Sequence, residues 1–309
     1  MSFYFNPSQT LRGTTSDVSA VHQIIQQGLE SGLTRLGTRA DLSLANMTQT
    51  AVTTMHHTNL REVFRLAGTD LHVQVGYRYF LPAAGFYCAF VELVFATGVA
   101  ADNLSMTGVI ATYTVGQPTP ASSVNTPAAA PLLVGSTSAG VLVQIGGKDT
   151  THGGAVFWMT RLADPSTGSL TAAVHFGVVT ANAMTYSVSA PSNAFANTGA
   201  NSRDEYIRVM RSGADVQAPT HSFAYTLDGG ITLDGLKHVS SGPYISVSGT
   251  LLSTQHPDCL MVAMPNGAGP AGSLGTIGTV QYQVLELTNL MAGFSLHPPV
   301  STQKLWVRR

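Results

Sequence analysis

The sequence predicts a mainly β, antiparallel protein, a sandwich or a barrel, behind an N-terminal helical arm, and three observations carry that expectation. From Asp70 onward, alternating or β-branched runs recur at residues 71–77, 86–95, 109–115, 141–145, 155–162, 170–179, 184–188, 206–211, 222–227, 231–236, 244–252, 260–264 and 280–287, about a dozen strands. The connections hold turn formers, with a hairpin expected at Asp228-Gly229-Gly230 and a turn at Asp164-Pro165-Ser166-Thr167-Gly168. No helix-length amphipathic segment lies between the strands, which argues against crossover units and a parallel sheet.

The arm is assigned to residues 1–69 and the β body to residues 70–309. A helix is expected from Ser16 to Leu36, because Val18, Val21, Ile25, Leu29 and Leu36 recur at helical spacing behind a cap at Ser16 or Asp17. Gly28 and Gly32 each cost such a helix about 1 kcal/mol relative to alanine, so it needs a surface to pack on. A second short helix is expected at Leu60, Val63, Phe64 and Ala67, stopped by Gly68. Two stretches read as long surface loops: residues 116–140, with Pro118, Pro120, Pro127 and Pro131, and residues 190–204, rich in Asn, Ala and Ser.

Composition narrows the function. Only 10% of the 309 residues are charged while 44% are hydrophobic, and 35 Thr, 27 Ser and 31 Gly take the place of the charge. That balance excludes a disordered chain. A surface so poor in charge is more easily understood if copies of the same protein cover much of it. The net charge is −1, with 3 lysines among 15 basic residues, so no overall field draws nucleic acid or an anionic membrane. The N-terminus lacks the basic and apolar regions of a secretory signal, which points to synthesis in a cytoplasm. The most apolar stretch, residues 83–101, carries Glu92 at its centre and reads as a buried strand, with no membrane span. Cys88 and Cys259 sit in apolar runs and read as buried thiols.

Catalytic patterns are thin, and no catalytic residue, cofactor or metal ligand is assigned. His56-His57 has no cysteine or carboxylate at ligand spacing and reads as a solvated or hydrogen-bonded pair. The stretch Gly267-Ala268-Gly269-Pro270-Ala271-Gly272 matches a dinucleotide-binding pattern in letters, but Pro270 removes a backbone donor and no helix follows. The run GSTSAG at Gly135 lacks the spacing of a nucleophile elbow. Acidic residues are scattered singly at turn-like positions, which leaves room for a calcium ion shared between subunits and assigns none. Asn46-Met47-Thr48 and Asn103-Leu104-Ser105 match the glycosylation pattern, which means little without export.

The basic residues have one suggestive arrangement. Arg35 and Arg39 lie four apart at the end of the first expected helix, and Arg61 and Arg65 four apart in the second. If helical, each pair shares a face and can fork onto phosphates. The competing reading is favourable placement near helix C-termini plus solvation.

Taken together, an arm with a helix followed by a Thr/Ser/Gly-rich antiparallel body with long loops resembles the coat protein of a small icosahedral virus. The resemblance is one of texture across most of the chain. It implies a jelly-roll-like β-sandwich, a non-enzymatic structural role in a self-assembled homo-oligomeric shell, residence in the virion, and packaged nucleic acid contacted by Arg35, Arg39, Arg61 and Arg65 on the arm. The chain lacks the arginine-rich N-terminus common in such proteins. The rival readings are a β-sandwich carbohydrate-binding or adhesive module and, behind it, a β-sandwich hydrolase.

Overall fold

The computed structural model describes residues 2–44, 47–48, 55–116, 128–146, 154–164, 166–181, 203–213, 215–217, 225–233, 236–241, 244–247, 250–253, 261–264, 273–277, 280–286 and 304–309. The chain opens with β1 (Ser2–Gly13), α1 (Thr15–Gly32), β2 (Thr34–Leu36), β3 (Met55–Arg65), β4 (His72–Ala83), β5 (Phe86–Val99) and β6 (Met106–Gly116). It continues with β7 (Ala128–Thr137), β8 (Gly140–Gly146), β9 (Gly154–Ala163), β10 (Leu170–Ala181), β11 (Arg203–Met210) and β12 (Val216–Gln217). Shorter strands follow: β13 (Tyr225–Leu233), β14 (Leu236–Ser241), β15 (Tyr244–Val247), β16 (Thr250–Ser253), β17 (Met261–Met264), β18 (Leu274–Ile277), β19 (Val280–Glu286) and β20 (Lys304–Arg308). The fold is mainly β and antiparallel, and among the described residues it has one helix, near the N-terminus.

Fourteen strands form one sheet, whose main path runs β12-β11-β10-β9-β8-β7-β1-β5-β4-β3-β2 with β6 added to β5. This sheet folds back on itself. Phe95 on β5 and Phe176 on β10 are five strand-to-strand steps apart, about 24 Å along a flat sheet, yet their ring centroids lie 5.1 Å apart. The Asp70 carboxylate beside β4 likewise accepts from the Gly213 N–H beyond β11 at 2.8 Å. Two facing layers result, one from β2 to β6 and one from β7 to β12. A jelly roll places sequence-distant strands side by side. In this sheet that occurs at β1, which pairs with β7 and with the start of β5, and at the single register pair Ser253–Ala163.

The helix closes the space between the layers, its apolar face inward and Ala20, Gln23, Gln27 and Ser31 outward. Val18, Val21, Ile25 and Leu29 are fully buried and belong to the same core as Phe64, Tyr77, Leu93, Phe157 and Phe176. Its cap is Thr14, two residues before Ser16, in a capping box closed by Asp17. The two glycines that weaken the helix are where it meets the sheet: a Cβ on Gly28 would lie 2.0 Å from Val134 Cγ1, and one on Gly32 would lie 2.8 Å from the Gly140 carbonyl oxygen. The sequence-based need for a packing surface is met by β7 and β8. Strand β1 lies between β7 and β5 and α1 shares the main core, so these elements are built into the body instead of standing off it as an arm.

Several local expectations differ from the structure for identifiable reasons. The second helix is a strand: residues 55–65 pair with β4 along most of their length, and that ladder overrides a short helical pattern. Ten residues of the expected loop 116–140 form β7, and residues 117–127 lie outside the described residues. Pro131 disguised that strand. It falls opposite Pro7 at an irregularity between the register pairs Asn6–Leu132 and Gln9–Ala130, where neither proline has to donate to the ladder. Of the expected loop 190–204, Arg203 and Asp204 belong to β11 and the rest lies outside the described residues. Asp228-Gly229-Gly230 sits within β13, and the reversal follows Leu233, which pairs with Leu236. The turn beginning at Asp164 is present, with Gly168 donating to the Asp164 carbonyl at 2.7 Å and adopting φ +69°. The Gly267–Gly272 stretch and Cys259 lie outside the described residues, while Cys88 is buried as a thiol between Phe80 and Phe90.

Gly28→Ala tests the helix seat. Helix propensity favours the change by about 1 kcal/mol, but overpacking against the stiff Val134 side chain costs roughly 1–3 kcal/mol, so the urea midpoint should fall. The double variant Gly28→Ala/Val134→Ala should be more stable than the sum of the single effects.

Candidate functional site

The four arginines divide into two pairs with different surroundings. The last turn of α1 carries Glu30, and the chain reverses through Leu33 into β2, which brings Arg35 back beside it. Gly37, at φ +77°, turns the chain again and returns Arg39. Arg35 pairs with Glu30, Arg39 Nε donates to Glu30 Oε1 at 2.7 Å, and Arg35 also stands 3.7 Å from Glu62 Oε1. Helix α1 ends at Gly32, so Arg35 and Arg39 share no helix face, and their charge is largely answered within the chain.

Glu62 is the centre of this arrangement and is fully buried. Its carboxylate accepts from Tyr77 Oη at 2.7 Å, Gln26 Nε2 at 2.9 Å and the Ala40 N–H at 3.0 Å. Burial, followed by the neighbouring Glu62 charge, holds the Tyr77 phenol well above its ordinary pKa, so Tyr77 stays a donor. Gln26 also donates to the Ala40 carbonyl at 3.0 Å, and Ser19 donates to the Leu42 carbonyl at 2.7 Å, which straps residues 40–42 to the helix. Glu62 lies between Arg61 and Val63 in a segment whose spacing reads as a short helix, so its role had no signal in the sequence.

Arg61 and Arg65 are exposed. They sit on β3 opposite Gly76 and His72, and a four-residue spacing keeps them on one face because side chains in a strand alternate with period two. Sharing a face survives the change from helix to strand. Their surroundings are mixed. Asp102, held down to about 2 chiefly by the Ser105 hydroxyl and then by the Ser105 and Leu104 N–H groups, is also acted on by Arg61. His72 is lowered mainly by burial, with Arg65 adding to the effect. Two exposed arginines thus share this face with Asp102 and His72 nearby.

The remaining candidates resolve as structure. Asp102 and Asp164 cap their own turns through Ser105 and Ser166. Ser136 is fully buried against the helix. The backbones of His56 and His57 are in register with Tyr79 and Arg78 in the β3–β4 ladder. Among the described residues, no three His, Cys, Asp or Glu side chains gather, and no helix is long and apolar enough to cross a membrane. Trp158 is buried and donates to His175 Nδ1 at 3.2 Å, which fixes that imidazole as an acceptor. An open groove of about 470 Å³ is lined by Phe3, Tyr4, Phe5, Gln283 and Arg309, and none of these was singled out in the sequence.

No protein-family model, curated protein or solved structure matches the chain. The functional reading therefore rests on the residues and their geometry.

Two expectations follow. Substituting Arg61 and Arg65 together by glutamine should reduce the salt dependence of any RNA or DNA binding by roughly 1.4 to 1.8 in log affinity against log salt, at 0.7 to 0.9 per phosphate contact. Arg35→Gln and Arg39→Gln should leave that slope nearly unchanged, and equal effects from the two pairs would refute the division. The second concerns pH. Burial lowers His22 to about 4 and His175 to about 3, against about 6.5 when unfolded. Because the unfolded chain binds these protons first, the stability they contribute is fully present above pH 6.5. It is lost as pH falls toward 4, at up to about 1.4 kcal/mol per pH unit for each histidine. Urea unfolding at pH 7.5, 6 and 5 should show that decline, and a flat profile would mean the imidazoles are not held neutral.

Proposed function

We propose that this chain is the coat subunit of a small icosahedral virus: a structural, non-catalytic protein whose copies close into a shell around a genome, with the virion as its destination. The observation that carries the reading is the pairing of a rigid antiparallel two-layer body with a surface supplied by a sequence only 10% charged. Such a surface solvates poorly alone and is covered most economically by more of itself. The exposed stripe of α1, formed by Ala20, Gln23, Gln27 and Ser31, is likewise uncharged.

Genome contact falls to Arg61 and Arg65. Two phosphate contacts per copy are too few to condense a genome by themselves, which favours a shell whose cohesion comes from protein contacts.

A second reading has its own observation. The groove is lined by Phe3, Tyr4 and Phe5 together with Gln283 and Arg309, aromatic and polar residue types of the kind that suit a sugar ring and its hydroxyls. This favours the carbohydrate-binding module as the alternative.

Purified protein should sediment as large closed particles visible by negative-stain microscopy over a range of salt and pH. A monomer at high concentration under all those conditions, together with glycan binding that Phe3→Ala abolishes, would replace the shell reading with the second one.

A further inference from the structure

The chain protects the edges of its main sheet unevenly. The path ends on one side at β2, three residues long and carrying the ion-paired Arg35, and on the other at β12, two residues long. Short, charged edges resist pairing with other chains. The strand β6 is different: it has 11 residues, MTGVIATYTVG, with no charge and no proline. One side is laddered to β5, and among the described residues no strand lies along the other. Thr107, Gly108, Val109 and Thr112 are exposed. Val109, at 56%, is the most exposed large apolar side chain among the described residues.

We propose that the outer edge of β6 around Val109 is a contact between copies of this chain, formed by antiparallel pairing of β6 with β6 of a second copy across a two-fold axis. The proposal rests on the assembly reading above and names the surface through which assembly begins.

Charge and shape both select a second copy as the occupant. Between Asp102 and Lys148 the chain has no charged side chain, so this edge offers a charged partner strand no ionic partner and is matched by an equally neutral one. The edge is also strongly shaped. Phe95 faces Ala111 while Ala96 faces Val109, so Ile110 is a bulge, and Gly108 beside it adopts φ +61°. A bulge increases the local twist, and a twisted edge pairs well only with a strand of matching twist. A second β6 has that twist by identity, and the isologous two-fold arrangement consumes both edges at once, which closes the contact instead of propagating it.

The test uses the full chain and compares wild type with Val109→Lys, Val109→Ile and, as a charge control on the exposed stripe of α1, Gln27→Lys. Sedimentation velocity over a concentration series should show Val109→Lys associating at least tenfold more weakly than the other three, with unchanged circular dichroism and urea midpoint. If wild type forms only dimers and Val109→Lys is monomeric, the β6 contact stands and the shell reading falls. If wild type and Val109→Lys form the same shells, the β6 contact is overturned and the shell reading stands. A wild type that is monomeric throughout overturns both.

Discussion

Helix α1 can lie against β7 and β8 only because Gly28 and Gly32 present no Cβ to Val134 and Gly140, and much of the molecule depends on that close approach. With the helix seated, Val18, Val21, Ile25 and Leu29 fill the gap left where the sheet folds back, and the two layers share one core. The same seat aims the polar residues of the helix. His22 reaches the Phe90 carbonyl, Gln26 reaches Glu62, and Glu30 meets Arg35 and Arg39. A helix held farther off by even one methyl group on each glycine would lose the registry of all three contacts, because close-packed interiors transmit such shifts.

Glu62 shows how a charge is tolerated at full burial. An isolated carboxylate there would be strongly disfavoured, but three donors from different elements converge on it, and Arg35 stands within ion-pair distance. The network joins α1, β3, β4 and the segment after β2. Its members are close enough to be coupled, so it specifies how these elements assemble more than it adds net stability.

The use of charge inside the chain bears on what the outside can do. Arg35 and Arg39 are committed to Glu30, and Arg78 pairs with Glu92 where both side chains are 12% exposed. An already small complement of ionic groups is thus partly spent on internal geometry. Strand β6 carries no charge along its length, and among the described residues no strand pairs with its outer edge. In the proposed assembly, recognition at such an edge would rest on backbone pairing and shape, which an identical chain matches.

The β class, the antiparallel pairing and the positions of the longer central strands were legible in the sequence, because period-two burial and turn-forming residues are local properties. The buried face of the N-terminal helix was legible for the same reason, as was its need for a packing partner. Three things were not. Leu60, Val63, Phe64 and Ala67 carry a helical spacing that a β4 ladder overrules, and the Pro131 strand was hidden until Pro7 supplied a matching irregularity across from it. The fate of the arginines was decided in three dimensions too, since only the reversal after α1 puts Arg35 and Arg39 on Glu30 and leaves Arg61 and Arg65 exposed. Pairing partners, ion pairs and the glycine seat all join residues far apart in sequence, and local pattern holds no record of which distant element will arrive.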